Sequence, residues 1–385
     1  MRPLEGIRVL DLSRLIPGPF ATLVLADLGA EVDKLEDPGV GDYLRFFPPQ
    51  AGDTSAGYQL LNRDKRSLVL DLKKPEAREA FLTLLGRYDV LVEQFRPGVL
   101  ARLGLGHDVL LARYPRLVVC AITGYGQTGP LASRAGHDLN FLARAGLLGA
   151  TGPAEGPPQV PGPQLADVSG ALWAVVAILA ALRRRDLCGQ GGVCDVAMSE
   201  GALGFASLAL AAGMTGAAGE RGRELLTGGI AAYQTYLAKD GAPIALAALE
   251  PKFWSAFASA VGLEPDPSAL VPGPHQETWK RRVAEVIASR TRAEWGVFAA
   301  ATDVCLEPVL RPDELPFDPH LIERGALFTM SVDGAELPGL RTPVTPRGLE
   351  HRPAAPAGRD TAAILREAGF DDAAIDALRS ARAIG

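Results

Sequence analysis

Short apolar runs separated by polar turns fill the first 120 residues, and they alternate in type. IRVLDLS (Ile7–Ser13) reads as a strand, Phe20–Leu28 as an apolar helix and Glu31–Glu36 as a second strand. Ser67–Leu72 reads as a strand and Pro75–Leu85 as a helix opened by proline. Asp89–Glu93 and Leu117–Thr123 read as two more strands. This alternation predicts an α/β domain, a doubly wound, Rossmann-like layer on a parallel sheet. After Gly146 the chain is rich in Pro and Gly through Pro163, as a surface loop is. Val168–Arg183 predicts a long apolar helix whose basic end (Arg183, Arg184, Arg185) suits the negative end of the helix dipole. Strands at Ala231–Leu237 and Ile244–Ala248, then helices at Lys252–Val261, Glu277–Ser289 and Arg292–Ala300, predict a smaller α+β unit. The tail from Pro312 combines an extended part with a short helix, Thr361–Ala368.

Composition narrows the class. A chain of 385 residues with 48% hydrophobic content suits two domains with sizeable cores. A net charge of −6 argues against a nucleic-acid binder, which needs a basic face, but leaves room for a local basic pocket. Four cysteines (Cys120, Cys188, Cys194, Cys305) without CxxC spacing predict buried free thiols in a reducing, cytoplasmic compartment. The N-terminus shows no apolar signal region. Gly201–Gly219 carries no charge, but its glycines and alanines make it only weakly apolar. It reads as a buried helix and linker, with no membrane partner expected.

The first strand leads into SRLIPGPF, where a dinucleotide fold would carry GxGxxG. Prolines there remove amide donors, so no nicotinamide cofactor is expected, although Glu36 ends the second strand where such folds hold a ribose. Three segments hold candidate chemistry. In TGYGQTGPLASRAGHDLNFLARAG (Thr123–Gly146), His137 stands at a predicted helix start, where free amides favour developing negative charge. In PQLADVSGALWA, Asp167 sits at the mouth of the next helix. In IALAALEPKFW, Glu250 ends an apolar strand before Pro251. Taken singly, His137 reads as a cap or surface residue, Asp167 as an N-cap and Glu250 as a helix-start carboxylate.

Several stretches carry a resemblance that single residues do not. They are GIRVLDLSRLIPGPFATLVLADLGAEV at the start, NRDKRSLVLDLK, DVLVEQFRPGV, TGYGQTGP, AGHDLNF, PQLAD, GQGGVCDVAMSEG, LTGGIAAYQTY and LEPKFW. In this order the chain resembles the family III CoA-transferase (CaiB/BaiF) superfamily over nearly its full length, closest to its alpha-methylacyl-CoA racemases. The resemblance implies an interlocked homodimer and a discontinuous large domain. The expected organisation is 1–188 for the first part of the large CoA-binding domain and 189–225 for a linker. A small domain follows at 226–311, a second linker at 312–330, and the return to the large domain at 331–385.

The resemblance also assigns roles. Asp167 occupies the superfamily's aspartate, which serves transferases as a nucleophile forming an aspartyl-CoA thioester and racemases as one of two acid/base groups. His137 and Glu250 fill the two remaining racemase positions. The expected activity is racemisation of a 2-methylacyl-CoA thioester through an enolate. His137 and Asp167 would work on opposite faces of the α-carbon, Glu250 would orient His137, and the Asp138 amide would bond the thioester oxygen. The alternatives are CoA transfer between carboxylic acids through Asp167, and a catalytically silent CoA-thioester binder. No separate cofactor or metal is expected, because CoA belongs to the acyl-CoA substrate. Adenine is expected near Val69, Leu70, Asp71 and Leu72, and pantetheine along Gly136, Leu139, Asn140 and Phe141. The phosphates are expected at Lys34 and Arg96, with Arg63, Lys65 and Arg66 as weaker candidates. Two departures stand out. Asp37-Pro38 replaces the racemases' Arg-Pro, and VSGALW replaces their glycine run, so that Leu172 and Trp173 are expected to narrow the acyl pocket.

Overall fold

Six of the apolar runs pair in one parallel sheet. A computed structural model of the chain describes residues 2–51, 53–332 and 334–385. Its elements begin β1 (Arg8–Asp11), α1 (Pro17–Asp27), β2 (Glu31–Glu36), β3 (Arg66–Val69), α2 (Pro75–Leu85), β4 (Val90–Glu93) and β5 (Val118–Thr123). They continue with α3 (Asp138–Arg144), α4 (Leu165–Cys188) and β6 (Gly192–Ala197). The strand order is β3-β2-β1-β4-β5-β6, every neighbour parallel. Val9 registers with both Val32 and Val90, and Cys120 with Cys194. A parallel sheet covered on both faces needs strands apolar on both sides; all four residues of β4 and all six of β5 are buried.

Several boundaries differ from expectation. α1 starts at Pro17, because proline is at home in a helix's first turn. β3 ends at Val69; the Leu70 amide still donates to the Glu36 carbonyl, and Asp71 and Leu72 lie beyond the ladder. α4 begins at Leu165, which places Asp167 within its first turn. That 24-residue helix is long and apolar enough to cross a bilayer, yet half of its most apolar stretch is buried inside the fold. β6 had no counterpart in the sequence reading; its outer residues alternate in exposure, as at a sheet edge.

Contacts divide the chain into two units. The first comprises the chain up to Leu142, Gln164–Ala202 and Pro316–Gly385. The second comprises Ala143–Pro163 and Leu203–Leu315. It contains α5 (Ser207–Met214), a three-stranded antiparallel sheet of β7 (Tyr233–Leu237), β8 (Pro243–Ala247) and β9 (Leu306–Pro308), and helices α6 (Pro251–Ala260), α7 (Gln276–Ile287) and α8 (Arg292–Ala301). Trp254, Trp279, Trp295 and Phe257 fill its core. Of the stretch expected to be a buried helix and linker, Gly201, Ala202 and Ala206 are buried, but α5 has no buried residue. Ala and Leu lie on all its sides, and no surface among the described residues buries them.

The C-terminal part of the first unit holds a hairpin, β10 (Leu327–Val332) with β11 (Ala335–Leu340), and helices α9 (Thr361–Glu367) and α10 (Asp372–Ser380). Ile364, Leu365, Ile375, Leu378 and Ile384 join the core formed by Leu10, Leu68, Phe81 and Leu91. Asp71 N–H donates to the Ala383 carbonyl, and Thr361 Oγ1 accepts from Val69 N–H at 3.1 Å.

Candidate active site

The chain-order strands β1–β3 run to one side of the sheet and β4–β6 to the other, so the order reverses between β1 and β4. Parallel sheets place ligands in the crevice at the carboxyl ends of the strands at such a point. A cavity of about 220 Å³ opens there. Leu12–Arg14 after β1, Glu36–Asp37 at β2, Leu70–Lys73 after β3 and Gln94–Phe95 after β4 line it. Of the four residues expected around adenine, Leu70, Asp71 and Leu72 do line this cavity. Val69 does not: its buried side chain lies against the Gly358 and Gly385 backbone.

The phosphate candidates separate sharply. Lys34 is buried beneath the crevice, its Nζ 2.7 Å from the Ser13 carbonyl and 3.0 Å from Asp42. Lys65 Nζ is equally enclosed, by Asp11, Thr22, Asn62 and the Pro19 carbonyl at 2.8–3.3 Å. Arg63 is buried and paired with Asp27 and Asp64, and Arg66 is held by Asp33 and Glu367. These four cations therefore bind the fold's own carboxylates and are not free to meet phosphate. Glu36 is likewise engaged, by Arg45, the Asp42 amide and the Tyr58 hydroxyl. Burial opposes the Asp11 charge, but Lys34 and Lys65, with hydrogen bonds from Ser13 and Thr22, bring it down to about 2. Burial and Lys34 push Lys65 down to about 7 against the pull of Asp11. Asp27, Asp64 and His351 are grouped as closely as metal ligands, but Arg63 Nη1 lies 2.7–3.0 Å from an atom of each.

Arg96 is the candidate left exposed, in the turn after cavity-lining Phe95, and no ion pair engages it among the described residues. Two lining cations escaped the sequence reading. Arg14 donates to the Tyr43 hydroxyl at 3.1 Å and lies over its ring, and Lys73 follows β3 by four residues. Their signal was position, just past the carboxyl end of a strand.

The chemistry-bearing residues of the first unit converge on the start of α4. Asp138 Oδ1 accepts from the Ala166 amide at 2.7 Å and the Asp167 amide at 3.1 Å. His137, one residue before Asp138, is exposed. Its amide donates to Asn140 Oδ1 at 3.1 Å, and its carbonyl accepts from the Asn140 amide. The Asp138 amide finds no acceptor among the described residues. The Asp167 carboxyl is pushed up to about 7 by burial and by the neighbouring charge of Asp138. Of the expected pantetheine stretch, Leu139 and Asn140 are exposed and Gly136 is half-buried. Phe141 is buried instead, edge-on to Tyr125. A Cβ at Gly124 or Gly136 would fall 2.4 or 2.7 Å from its ring, so Phe141 supports the glycine turns from below.

Leu172 and Trp173 do not face Asp167. At 100° per residue they lie roughly 140° and 120° around α4 from it, and both are exposed. The residues stacked on the Asp167 side of the helix are Gly170, Ala171 and Ala174, all buried. Glu250 belongs to the second unit, where it is the exposed N-cap residue of α6.

Comparison with known proteins completes the picture. The chain is 36% identical to a mouse (Mus musculus) alpha-methylacyl-CoA racemase over 99% of this chain and 97% of that protein. It is 32% identical to a human (Homo sapiens) succinyl-CoA:glutarate CoA-transferase over 99% of this chain and 90% of that one. A CaiB/BaiF family protein from Brucella suis superposes with a TM-score of 0.82 at 28% identity, covering 95% of this chain and 99% of that chain. The model of CoA-transferase family III matches residues 4–361, and with these full-length relatives the chain belongs to that family.

Proposed function

We propose that the protein racemises 2-methylacyl-CoA thioesters by transferring the α-proton between His137 and Asp167. The observation that carries this reading is the environment of Asp167, a carboxyl held near neutrality beside the segment that bears His137. A group poised there is populated as both acid and base, which proton transfer in both directions requires. One of the pair takes the α-proton, leaving an enolate. The Asp138 amide is the donor for the enolate oxygen, and the other partner delivers a proton to the opposite face. CoA would seat its adenine in the crevice between β1 and β4, with Arg14, Lys73 and Arg96 serving the phosphates. Transfer of proton alone calls on no redox group.

The test is exchange in deuterated water with 2-methyldecanoyl-CoA. The native protein should invert the α-carbon and incorporate deuterium. Asp167→Ala and His137→Ala should each abolish inversion while leaving exchange of one enantiomer, opposite in the two variants. A second reading, CoA transfer, is favoured by the similarity to the glutarate transferase. It predicts an aspartyl-CoA thioester trapped by borohydride or hydroxylamine, and less than about tenfold loss for His137→Ala, against the 10²–10⁴-fold typical of an acid/base group.

The same proposal includes an interlocked homodimer. α5 exposes Leu208 and Met214 at 69% and 80%, with Phe205 exposed just before it, and a second copy would cover them. Sedimentation at micromolar concentration should give a dimer; a folded, active monomer would remove this part of the proposal.

A further inference from the structure

The start of α4 is capped from outside its own sequence. Its N-cap residue, Gln164, provides no side-chain cap. The amides of the second and third helical residues, Ala166 and Asp167, are those an N-cap side chain ordinarily binds. Here both point at one oxygen of Asp138, which lies 28 residues before Ala166. An aspartate in the first turn of a long helix is ordinarily stabilised as an anion by those amides and by the helix dipole. Asp167 stands in that position, yet Asp138 has taken the donors. No atom among the described residues donates a hydrogen bond to the Asp167 carboxyl oxygens.

Resting on the racemase reading, we propose that the Asp138 side chain is a positioning residue. It locks the first turn of α4 to the His137 segment, and it keeps Asp167 a reversible proton carrier rather than an ionised helix cap. The other charges facing Asp167 do not offer an alternative cause. On α1 the acidic residue is Asp27, paired with Arg63; β5 carries no charged residue; on β6 Asp195 accepts from the Gln127 amide. Glu200, just past β6, is exposed, and His137 is the titratable neighbour on Asp138's own segment.

The division of labour also fits the chemistry. Two carboxyls share one helix start, and Asp138 is the one that accepts both amide hydrogen bonds. The other is left desolvated and repelled, and is therefore free to gain and lose a proton. The Asp138 amide and side chain thus act together, the amide toward the thioester oxygen and the side chain toward Asp167.

Asp138→Asn retains an accepting oxygen and loses the charge; Asp138→Ala loses both. With 2-methyldecanoyl-CoA, kcat/KM for the enantiomer whose proton Asp167 removes should rise with pH, and in Asp138→Asn this limb should move down by about one pH unit. Asp138→Ala should lose at least about 10²-fold, because the pair is no longer held in register. A readout free of activity runs in parallel: the pH-dependent gain in Tm produced by Asp167→Asn should shrink when Asp138→Asn is already present. If neither the limb nor the coupled gain moves in Asp138→Asn, the proposal is overturned. If the gain shrinks in a protein that shows no α-proton exchange, the link between the two carboxyls stands and the racemase reading falls.

Discussion

Replacing Asp167 by asparagine should make the folded protein more stable, increasingly so as pH rises. The carboxyl rises from an ordinary value of 3.8 to about 7 because burial and Asp138 both disfavour its charge. The sign follows from comparing the two states. Below about pH 4 the group is protonated folded or unfolded, and carries no penalty. Between 4 and 7 the unfolded chain ionises while the folded one keeps its proton, so stability falls with rising pH. Above 7 the folded protein carries an ionised, desolvated carboxylate at a cost that no longer changes. At 1.36 kcal/mol per decade of proton affinity, the ceiling on that cost is about 4 kcal/mol. About 3 kcal/mol of it develops between pH 5 and pH 8. Asparagine fills the same space without charge, and the parent side chain gives up no intrachain hydrogen bond. For a unit of this size the variant's Tm lead should therefore grow by roughly 6–12 °C between pH 5 and pH 8. Thermal unfolding followed by circular dichroism at four pH values checks it. A lead that stays flat, or shrinks, as pH rises would refute the placement of Asp167 in a desolvated, repelling site.

Arg96→Ala should weaken CoA binding by about 1–3 kcal/mol, roughly 5- to 150-fold, with the loss diminishing as salt is added; titration calorimetry reads both. Arg63→Met should leave Asp27 buried without its cation and cost about 3–5 kcal/mol of stability, while CoA affinity of the folded fraction stays unchanged. A loss of affinity without a loss of stability would return Arg63 to the phosphate site. Gly191→Ala should strongly destabilise the first unit, because its Cβ would stand 1.9 Å from the Leu117 carbonyl oxygen, a backbone atom that cannot swing aside. A soluble variant with native Tm would contradict that close approach.

The parallel sheet was legible because its strands are buried on both faces. Runs such as VVCAIT then have nothing polar to confuse with a helix or a loop. The crevice was half legible: Leu70–Leu72 follow an evident strand, whereas Arg14 and Lys73 are marked only by lying just beyond strand ends. That Lys34, Arg63 and Lys65 are already paired within the fold was not legible, for one reason. A cation is called free or spent according to its partners, and Asp42, Asp27 and Asp11 lie 8, 36 and 54 residues away from them. Nothing local in the sequence marks these pairings. The same holds for Asp138, whose cap on α4 joins two segments that read as independent helix starts. His137 and Asp167 are singled out by a resemblance to racemases and transferases; their periodicity alone would leave them as caps.

The closure of the first unit by its own tail bears on how the polypeptide emerges from the ribosome. β3 is an outer strand of the sheet, and its free edge is served by Thr361, while Ala383 receives the Asp71 amide. Between synthesis of Val69 and of Ile384 pass 315 residues, roughly 15–60 s at ordinary elongation rates. Throughout that interval the nascent sheet presents an unsealed, hydrogen-bonding edge above an unfinished core, the kind of surface on which chains stick to one another. The second unit has its own tryptophan-rich core and can be complete well before then. Newly made protein should therefore depend on chaperone shelter late in translation, and truncations before α9 should aggregate rather than yield a smaller working enzyme.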